Sequence, residues 1–344
     1  MASEAPPFWW EKPDWRARLL YPVSAIYGAV ARRRLERGRR EKVECPVLCV
    51  GNLTVGGTGK TPVAIALAKA ARKQGLKPGF LSRGHGGSFG GEPHRVDLHH
   101  DSAKHVGDEP LLLAEHAPVA VSPNRAAGAR MLIAEGCDFL IMDDGFQSAR
   151  IHIDYALLVV DARRGVGNGH IIPGGPVRAP ITDQLRLANG LLKMGEGTAA
   201  DIIIRRAARA GKPFFEAALK PRRKSAFAGK RFLAFAGIGD PAKFYRSISE
   251  TGGEVVIQRS FGDHHFYADD ELGDLVKLAA ANNLHLVTTA KDAARLRHGS
   301  HAARTLLESL MVLEVETVFE PKSVPARLID DTLNAFRTRR ITEV

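Results

Sequence analysis

Apolar and polar positions alternate along most of this chain in a pattern that predicts strands followed by helices. Between residues 43 and 160, short apolar runs rich in β-branched residues are separated by longer runs whose apolar positions repeat at helical spacing. Strands and helices in this order predict a mostly parallel sheet with helices on both faces. The predicted strands are Val43–Val50, Gly79–Ser82, Pro118–Ser122, Asp138–Met142 and Tyr155–Val160, and the predicted helices are Pro62–Lys73, Glu109–Glu115 and Arg125–Glu135.

The same alternation restarts after a basic, proline-bearing joint at residues 220–224. A chain of 344 residues is long enough for two domains. We therefore expect an α/β fold with a larger core at residues 43–220 and a second, smaller α/β domain at residues 225–335. The elements predicted for the smaller domain are the strands Arg231–Ala236, Val255–Gln258 and Leu284–Thr289 and the helices Pro241–Ser249 and Asp269–Ala281.

The segment between the first predicted strand and the first helix reads GNLTVGGTGKTP and begins at Gly51. A strand, a glycine-rich turn, Lys–Thr and then a helix are typical of a phosphate-binding P-loop, whose backbone N–H groups and helix N-terminus attract an anion. Lys60 would reach the β- and γ-phosphates, and the Thr61 hydroxyl would ligate Mg²⁺. The predicted nucleotide-binding residues are Thr54, Val55, Gly56, Gly57, Thr58, Gly59, Lys60 and Thr61.

The first position of this loop departs from the usual G-x-x-x-x-G-K-[ST] pattern, because Thr54 stands where glycine is expected. The alternative to a P-loop is an ordinary glycine-rich turn before a helix. The GGTGKT core in its strand-to-helix setting favours nucleotide binding and a sheet of the P-loop NTPase type.

The fourth predicted strand, Asp138–Met142, is apolar and leads directly into two acids, Asp143 and Asp144. This is the form of a Walker B element, in which a carboxylate holds Mg²⁺ beside the P-loop hydroxyl. The alternative is an acidic turn, since Asp and Gly commonly end strands. We predict Thr61, Asp143 and Asp144 as metal ligands.

Two further acid–base candidates lie outside these elements. Asp108 begins a predicted helix, where an N-cap and a catalytic carboxylate are equally good interpretations. His264, in the run DHHF, is typical of a turn but can also act as an acid or base. Arginines in the loops that follow the second and fifth strands, SRGHG and DARRGVGNG, would neutralise a transferred phosphoryl group or are simply solvated.

The first 42 residues have a different character. All three tryptophans lie within the first 15 residues, and a charge-free run follows at residues 19–31. That run is too short to cross a bilayer, which needs about 20 residues. Its apolar positions Leu19, Val23, Ile26 and Val30 fall on one helical face. A basic cluster comes next, formed by Arg32, Arg33, Arg34, Arg37, Arg39, Arg40 and Lys42.

This arrangement predicts that residues 1–42 lie on an anionic membrane surface. The alternative is a helix packed on its own domain with a solvated basic tail. A net charge of +11 requires an anionic partner without naming it. The three cysteines lie in or beside apolar strands with no pairing pattern, which indicates buried thiols in a reducing compartment.

Taken together, these motifs resemble one family, the tetraacyldisaccharide 4′-kinases, which are the lipid A 4′-kinases of Gram-negative envelope synthesis. The resemblance extends from Gly51 to about Leu296. Besides the P-loop, it is carried by SRGHGG, GDEPLLLA, DDGFQ, DARRGVGNGHIIPGGPVR, FAGIGDPAKFY, GDHHFY and TTAKDAARL.

The resemblance implies an ATP- and Mg²⁺-dependent lipid kinase that phosphorylates the 4′-hydroxyl of a tetraacylated glucosamine disaccharide 1-phosphate. It also implies a peripheral protein at the cytoplasmic face of the bacterial inner membrane. The expected partners are the lipid A disaccharide precursor and the anionic inner-membrane surface, and no nucleic acid is expected.

Several site residues follow from the resemblance by motif. Asp108 matches the family's catalytic Asp, His264 its assisting His, Asp143 and Asp144 its Walker B acids, and Arg125 and Arg178 its phosphate-side arginines. One departure is Ala179, which stands where many members carry Glu in Gly-Pro-Leu-Arg-Glu-Pro. Any metal or orienting role of that Glu is absent here, and either a water or a Walker B acid takes its place.

Two other functions stay open at the level of sequence. One is a P-loop kinase or ligase that acts on a small soluble acceptor. The other is a nucleotide-switched regulator that binds membrane or RNA through residues 32–42 without transferring phosphate. The Asp108–His264 pair speaks against a switch, which needs no base for an acceptor.

Overall fold

The computed structural model describes residues 5–84, 87–88, 90–148 and 150–342. His85 and Gly86 of the SRGHGG motif lie outside the described residues. The strands are β1 Val47–Asn52, β2 Pro78–Ser82, β3 His94–Arg95, β4 Val119–Val121, β5 Phe139–Asp143, β6 Tyr155–Asp161, β7 Gly190–Met194, β8 Phe214–Pro221, β9 Arg231–Ala236, β10 Glu254–Ser260, β11 His285–Thr289, β12 Met311–Leu313 and β13 Val315–Glu320. The helices are α1 Trp15–Leu19, α2 Tyr21–Arg37, α3 Lys60–Lys73, α4 Ala103–Val106, α5 Asp108–Ala114, α6 Arg125–Ala134, α7 Ile181–Leu187, α8 Asp201–Arg209, α9 Pro241–Ser249, α10 Asp269–Ala281, α11 Ala290–Arg297, α12 His301–Ser309 and α13 Val324–Ile341.

The larger sheet has the strand order β13-β8-β7-β6-β1-β5-β2-β4-β3. Its strands pair in parallel except for the two edge strands, β3 and β13, which are antiparallel to their neighbours. Every residue of β1, β5 and β6 is buried, as expected for central strands covered on both faces. Helices α3, α5 and α13 cover one face and α6, α7 and α8 the other. The predicted P-loop NTPase-type α/β core is therefore confirmed.

The smaller sheet has the order β10-β9-β11-β12, and all its pairs are parallel. Helix α9 packs on one face through Phe244, Tyr245 and Ile248, and α10 and α12 pack on the other. The second α/β unit predicted from the restarted alternation is present.

The end of the predicted second domain, residues 225–335, needs a correction. Strand β13 leaves the smaller sheet and pairs antiparallel with β8 of the larger one, with Thr317 opposite Leu219. Helix α13 then buries Leu328 and Ile329 against the larger core. Pairing β13 with β8 covers an edge strand whose N–H and C=O groups would otherwise be exposed. The boundary at residue 335 was wrong because a repeating strand–helix pattern in the sequence does not indicate which sheet a strand joins.

The N-terminal helices lie against the larger domain with their apolar face outward. The face of α2 that contacts the larger domain carries Ser24, Gly28 and Leu35, and of these Leu35 alone has a large side chain. The face predicted from helical spacing is exposed instead, and it consists of Leu19, Val23, Ile26 and Val30. No helix in the described part of the chain has both the length and the apolar character that crossing a bilayer requires.

The tryptophans do not all share that outward orientation. Trp9 is buried, and its indole Nε1 donates to Pro173 O at 2.9 Å. Trp10 is half-buried, with the Arg164 guanidinium 4.9 Å from its ring centre. Of the three, only Trp15 is largely exposed, so the membrane prediction has to be supported by α2 rather than by a tryptophan cluster.

A test of the C-terminal reassignment uses the ion pair that joins α13 to the core. Arg339 Nε donates to Asp154 Oδ1 at 2.8 Å, and the backbone N–H of Val47 in β1 donates to Asp154 Oδ2 at 2.9 Å. Because Asp154 is buried, Arg339→Met should lower the free energy of unfolding by about 3 kcal/mol in urea titrations. The control Arg340→Met breaks an exposed pair with Glu44 and should cost less than about 1 kcal/mol. Equal effects of the two variants would contradict this docking.

Candidate active site

The glycine-rich loop lies at the carboxyl end of β1, in the middle of the larger sheet. Gly56 and Gly59 have φ angles of +106° and +86°, which L side chains rarely adopt, so glycine is required at both turns. Helix α3 begins at Lys60, directly after the loop. The first N–H groups of a helix have no intrahelical partner, so the loop and the start of α3 offer donors to an anion.

Asp143 lies at the tip of β5, the strand that pairs with β1, and the register puts Asp143 opposite Val50. Thr61 Oγ1 donates to Asp143 Oδ2 at 2.8 Å. Asp143 Oδ1 is buried and has no hydrogen-bond partner among the described residues. Burial raises the pKa of Asp143 to about 6, since desolvation penalises the charged form. A hydroxyl and a partly unsatisfied carboxylate are the hard oxygen ligands that Mg²⁺ prefers.

Asp144 is held by two cations. The Arg178 guanidinium donates to both of its oxygens, at 2.6 and 2.9 Å, and Lys60 Nζ lies 3.5 Å from Oδ2. Burial opposes ionisation, but Lys60 and Arg178 outweigh it and hold the pKa of Asp144 well below its usual range. The backbone N–H of Arg178 donates to Leu53 O at 3.0 Å, which ties this arginine to the P-loop. Burial also lowers the pKa of Lys60, with Asp144 acting against the shift.

Position 179 contributes no carboxylate to the site, and Arg178 is paired with Asp144 instead. Ala179 is fully buried, and its carbonyl accepts a hydrogen bond from Gln184 Nε2 at 2.6 Å. Asp143 and Asp144 are therefore the acids that the described structure places at the P-loop side of the site.

Arg125, the second predicted phosphate-side arginine, opens α6 and is buried. Its Nη1 donates to Ser122 O, and its Nε has no partner among the described residues. Burial, with the nearby Arg83, lowers the pKa of Arg125 to about 10. Arg125 and Arg178 line the same cavity, so the structure brings both predicted arginines to one place.

Asp108 and His264 meet across the two domains. Asp108 opens α5 in the larger domain, and His264 lies in the loop after β10 of the smaller one. His264 Nδ1 is 3.1 Å from Asp108 Oδ1, and the φ of +61° at His264 is unusual for a residue with a side chain. The other carboxylate oxygen of Asp108 accepts from Arg295 Nη2 in α11.

The charges around this pair set its protonation. Burial disfavours the Asp108 carboxylate, but His264, Lys291 and Arg295 outweigh it and hold the pKa of Asp108 well below its ordinary value. The hydrogen bond that Asp108 accepts from the imidazole raises the pKa of His264, although the ring is partly buried. The pair is thus an ionised acid in contact with a histidine that is readily protonated.

A cavity of about 1960 Å³ joins these groups. Val55 to Thr61 line it on one side, and His264 and Lys291 line it on the other. Of the predicted loop residues, Thr54 is buried behind the cavity, where it forms an isolated bridge with Val177. Asp108 is also withdrawn, at 2% exposure, so His264 is the member of the pair that faces the cavity.

The family model for LpxK, tetraacyldisaccharide-1-P 4′-kinase, matches residues 16–333 of this chain. The chain belongs to this family. A tetraacyldisaccharide 4′-kinase from Mesorhizobium japonicum is 68% identical over 342 residues, which are 99% of each chain. Another, from Chelativorans sp., is 54% identical over 340 residues, again 99% of each chain.

The fold has a counterpart among solved structures. The crystal structure of LpxK from Aquifex aeolicus, in complex with ATP, matches with a TM-score of 0.71 at 24% identity. The match covers 92% of this chain and 99% of that one. The resemblance noted from the motifs is therefore confirmed at the level of the family and of the fold.

Sequence reasoning missed one residue of the site, Arg295, and did not identify the partner of a second, Lys291. Lys291 Nζ donates to Glu109 in the larger domain, and Arg295 donates to Asp108. Both come from the TTAKDAARL segment, where their spacing of four residues puts them on one face of α11. The spacing was a usable signal for a shared face, but nothing in it indicated the partners.

The Asp108–His264 contact predicts a measurable titration. The imidazole of His264 should titrate above the ordinary value of about 6.5, because protonation adds an attraction to the Asp108 carboxylate. NMR of the ring nitrogens should show this midpoint fall in Asp108→Asn, while the control Asp274→Asn, an exposed acid on α10, leaves it in place. An unchanged midpoint in Asp108→Asn would contradict the contact.

Proposed function

We infer that this chain transfers the γ-phosphate of ATP to the 4′-hydroxyl of a tetraacyldisaccharide 1-phosphate in lipid A biosynthesis. The observation that carries this inference is a single cavity. The P-loop with Lys60 lines one side of it, and His264, in contact with the buried Asp108, lines the other. Relatives at 54–68% identity over nearly the full chain carry the name tetraacyldisaccharide 4′-kinase. ATP as the donor is supported by the Aquifex aeolicus LpxK structure, which is in complex with ATP.

The phosphate side of the reaction is assigned to the P-loop and the strand tips beside it. We assign the backbone N–H groups of residues 55–61 to the phosphate chain and Lys60, which lines the same cavity, to the transferred group. Arg125 and Arg178 supply further positive charge to the same cavity. Thr61, Asp143 and Asp144 would hold Mg²⁺, which when bound neutralises charge on the transferred phosphoryl group. The buried, unpartnered Asp143 Oδ1 supports this ligand set.

The acceptor side is assigned to Asp108 and His264. A proton must leave the sugar hydroxyl as it attacks, so a base has to lie at the cavity wall. His264 forms part of that wall. Asp108, which lies behind His264, orients the imidazole ring and compensates the charge of the protonated ring, so we treat the Asp108–His264 pair as the base. Because the pKa of His264 is raised, the basic form of the pair becomes more populated as pH rises through that pKa.

Transfer to a detergent-dispersed tetraacyldisaccharide 1-phosphate tests this function directly. Asp108→Ala should lower kcat by about 10²- to 10⁴-fold, since the base loses its carboxylate. The control Asp274→Asn should keep normal turnover, because that side chain is exposed on α10. No transfer by the unaltered protein would contradict the proposed function, and near-normal turnover of Asp108→Ala would remove Asp108 from the base.

We also propose that the protein sits peripherally on the anionic, cytoplasmic face of the inner membrane. The support is the apolar face of α1 and α2, where Leu19 and Ile26 are 70% and 68% exposed. The basic cluster at residues 32–42 comes directly after this face in the sequence, and two of its members, Arg34 and Arg39, line the cavity. An apolar face beside arginines is typical of a helix lying in an anionic interface. A lipid acceptor would then enter the cavity from the bilayer side.

Vesicle sedimentation checks this placement. The double variant Leu19→Glu with Ile26→Glu should lose binding to vesicles that contain phosphatidylglycerol, because two charges would enter the interface. The control Val276→Glu also places a charge on an exposed apolar position, but on α10 of the smaller domain, and should bind as before. Equal binding by all three proteins would overturn the proposed membrane face.

A further inference from the structure

The side chain of Arg295 is almost fully enclosed. It is 1% exposed and lies between two buried carboxylates, one from each domain. Nη2 donates to Asp108 of the larger domain, and Nη1 donates to Asp292 Oδ1 of the smaller domain at 2.6 Å. Nη1 also donates to Gly237 O at 2.6 Å, beyond the end of β9. One guanidinium therefore connects the acid of the base pair to the framework of the smaller domain.

Asp292 is in turn fixed from several directions. Tyr267 Oη donates to its Oδ1 at 2.8 Å, and the backbone N–H of Gly237 donates to the same oxygen at 3.0 Å. Thr289 Oγ1 donates to its Oδ2 at 2.6 Å. The Asp292 carboxylate therefore has little conformational freedom, and its hydrogen bond with Arg295 restricts the position of the guanidinium as well.

The charges facing Asp108 come from three elements. His264 contributes from the loop after β10, Lys291 and Arg295 contribute from α11, and Glu109 follows Asp108 in α5. Glu109 takes Lys291 as its own partner, so Arg295 is the permanently charged group in direct contact with Asp108, beside the titratable His264. A planar guanidinium can bridge two carboxylates in a fixed geometry, which a lysine ammonium cannot reproduce.

We propose that Arg295 is a positioning residue for phosphoryl transfer, which holds Asp108 Oδ2 so that Oδ1 meets His264 at the cavity wall. This role rests on the function proposed above. It makes the geometry of the base depend on the smaller domain, which supplies both His264 and Arg295. Misplacing a reacting group by about 1 Å costs about 10²-fold in rate, so the loss of this contact should appear in kcat.

The decisive variant is Arg295→Met, which keeps a long apolar side chain and removes the guanidinium. We expect kcat to fall by about 10²-fold with little change in the KM for ATP, because the P-loop is untouched. We also expect the acidic limb of the kcat–pH profile to move to higher pH by about 1 unit, since Asp108 and His264 both lose a neighbouring cation. Arg295→Lys should recover part of the loss in kcat.

Two further variants separate positioning from folding. Arg295→Met combined with Asp292→Asn removes one charge of each sign, so the folded protein should be recovered while kcat stays low and the shifted profile persists. The control Arg297→Met breaks another ion pair between the domains, from α11 to Glu115, at 2.7 Å and without contact to Asp108. Its pH profile should match that of the unaltered protein.

The outcomes are distinct. Normal kcat and an unshifted profile in folded Arg295→Met, or in the double variant, would overturn the positioning role alone. A loss confined to thermal stability would do the same, as it would show a purely structural ion pair. Absence of transfer by the unaltered protein would instead contradict the proposed function, and the positioning role with it.

Discussion

The site depends on one buried carboxylate, Asp108, held between two side chains of another domain. Removing a carboxylate from water is costly unless cations and donors compensate it. Here the compensation comes from His264 and Arg295. The charge on the Asp108 carboxylate is therefore stable only when the smaller domain is in place. That requirement favours a fixed position of the smaller domain and orients the imidazole of His264 toward Asp108.

The phosphate side follows from sheet topology instead. Strands β1 and β5 are neighbours in the parallel sheet, so their carboxyl ends meet and Thr61 reaches Asp143. The glycines that follow β1 let the backbone turn, and Lys60 and Arg178 lie beside the acids at the tip of β5. A P-loop of this kind indicates only that a nucleotide phosphate binds. In the proposed function, the Asp108–His264 pair supplies the base for an acceptor and thereby a direction of transfer.

Most of the fold could be read from periodicity, because central strands such as β5 are continuous apolar runs between turn residues. Three features could not. Strand β13 joins the larger sheet through an edge pairing that no local pattern encodes. Trp9, in the short 3-10 helix Pro7–Trp10, is buried against Pro173, which is 164 residues away in the chain. Arg295 meets a partner 187 residues away, so its spacing within α11 showed its face but not its role.

If Asp108 and His264 act as one base contributed by two domains, a double-mutant cycle on kcat will show it. Phosphate transfer would be measured for Asp108→Asn, His264→Gln and the double variant, with circular dichroism confirming that each is folded. Groups that act as a unit are strongly non-additive. We predict that the double variant is no slower than the slower single variant. Multiplicative losses in kcat, as for two independent residues, would show that Asp108 and His264 do not act as one base.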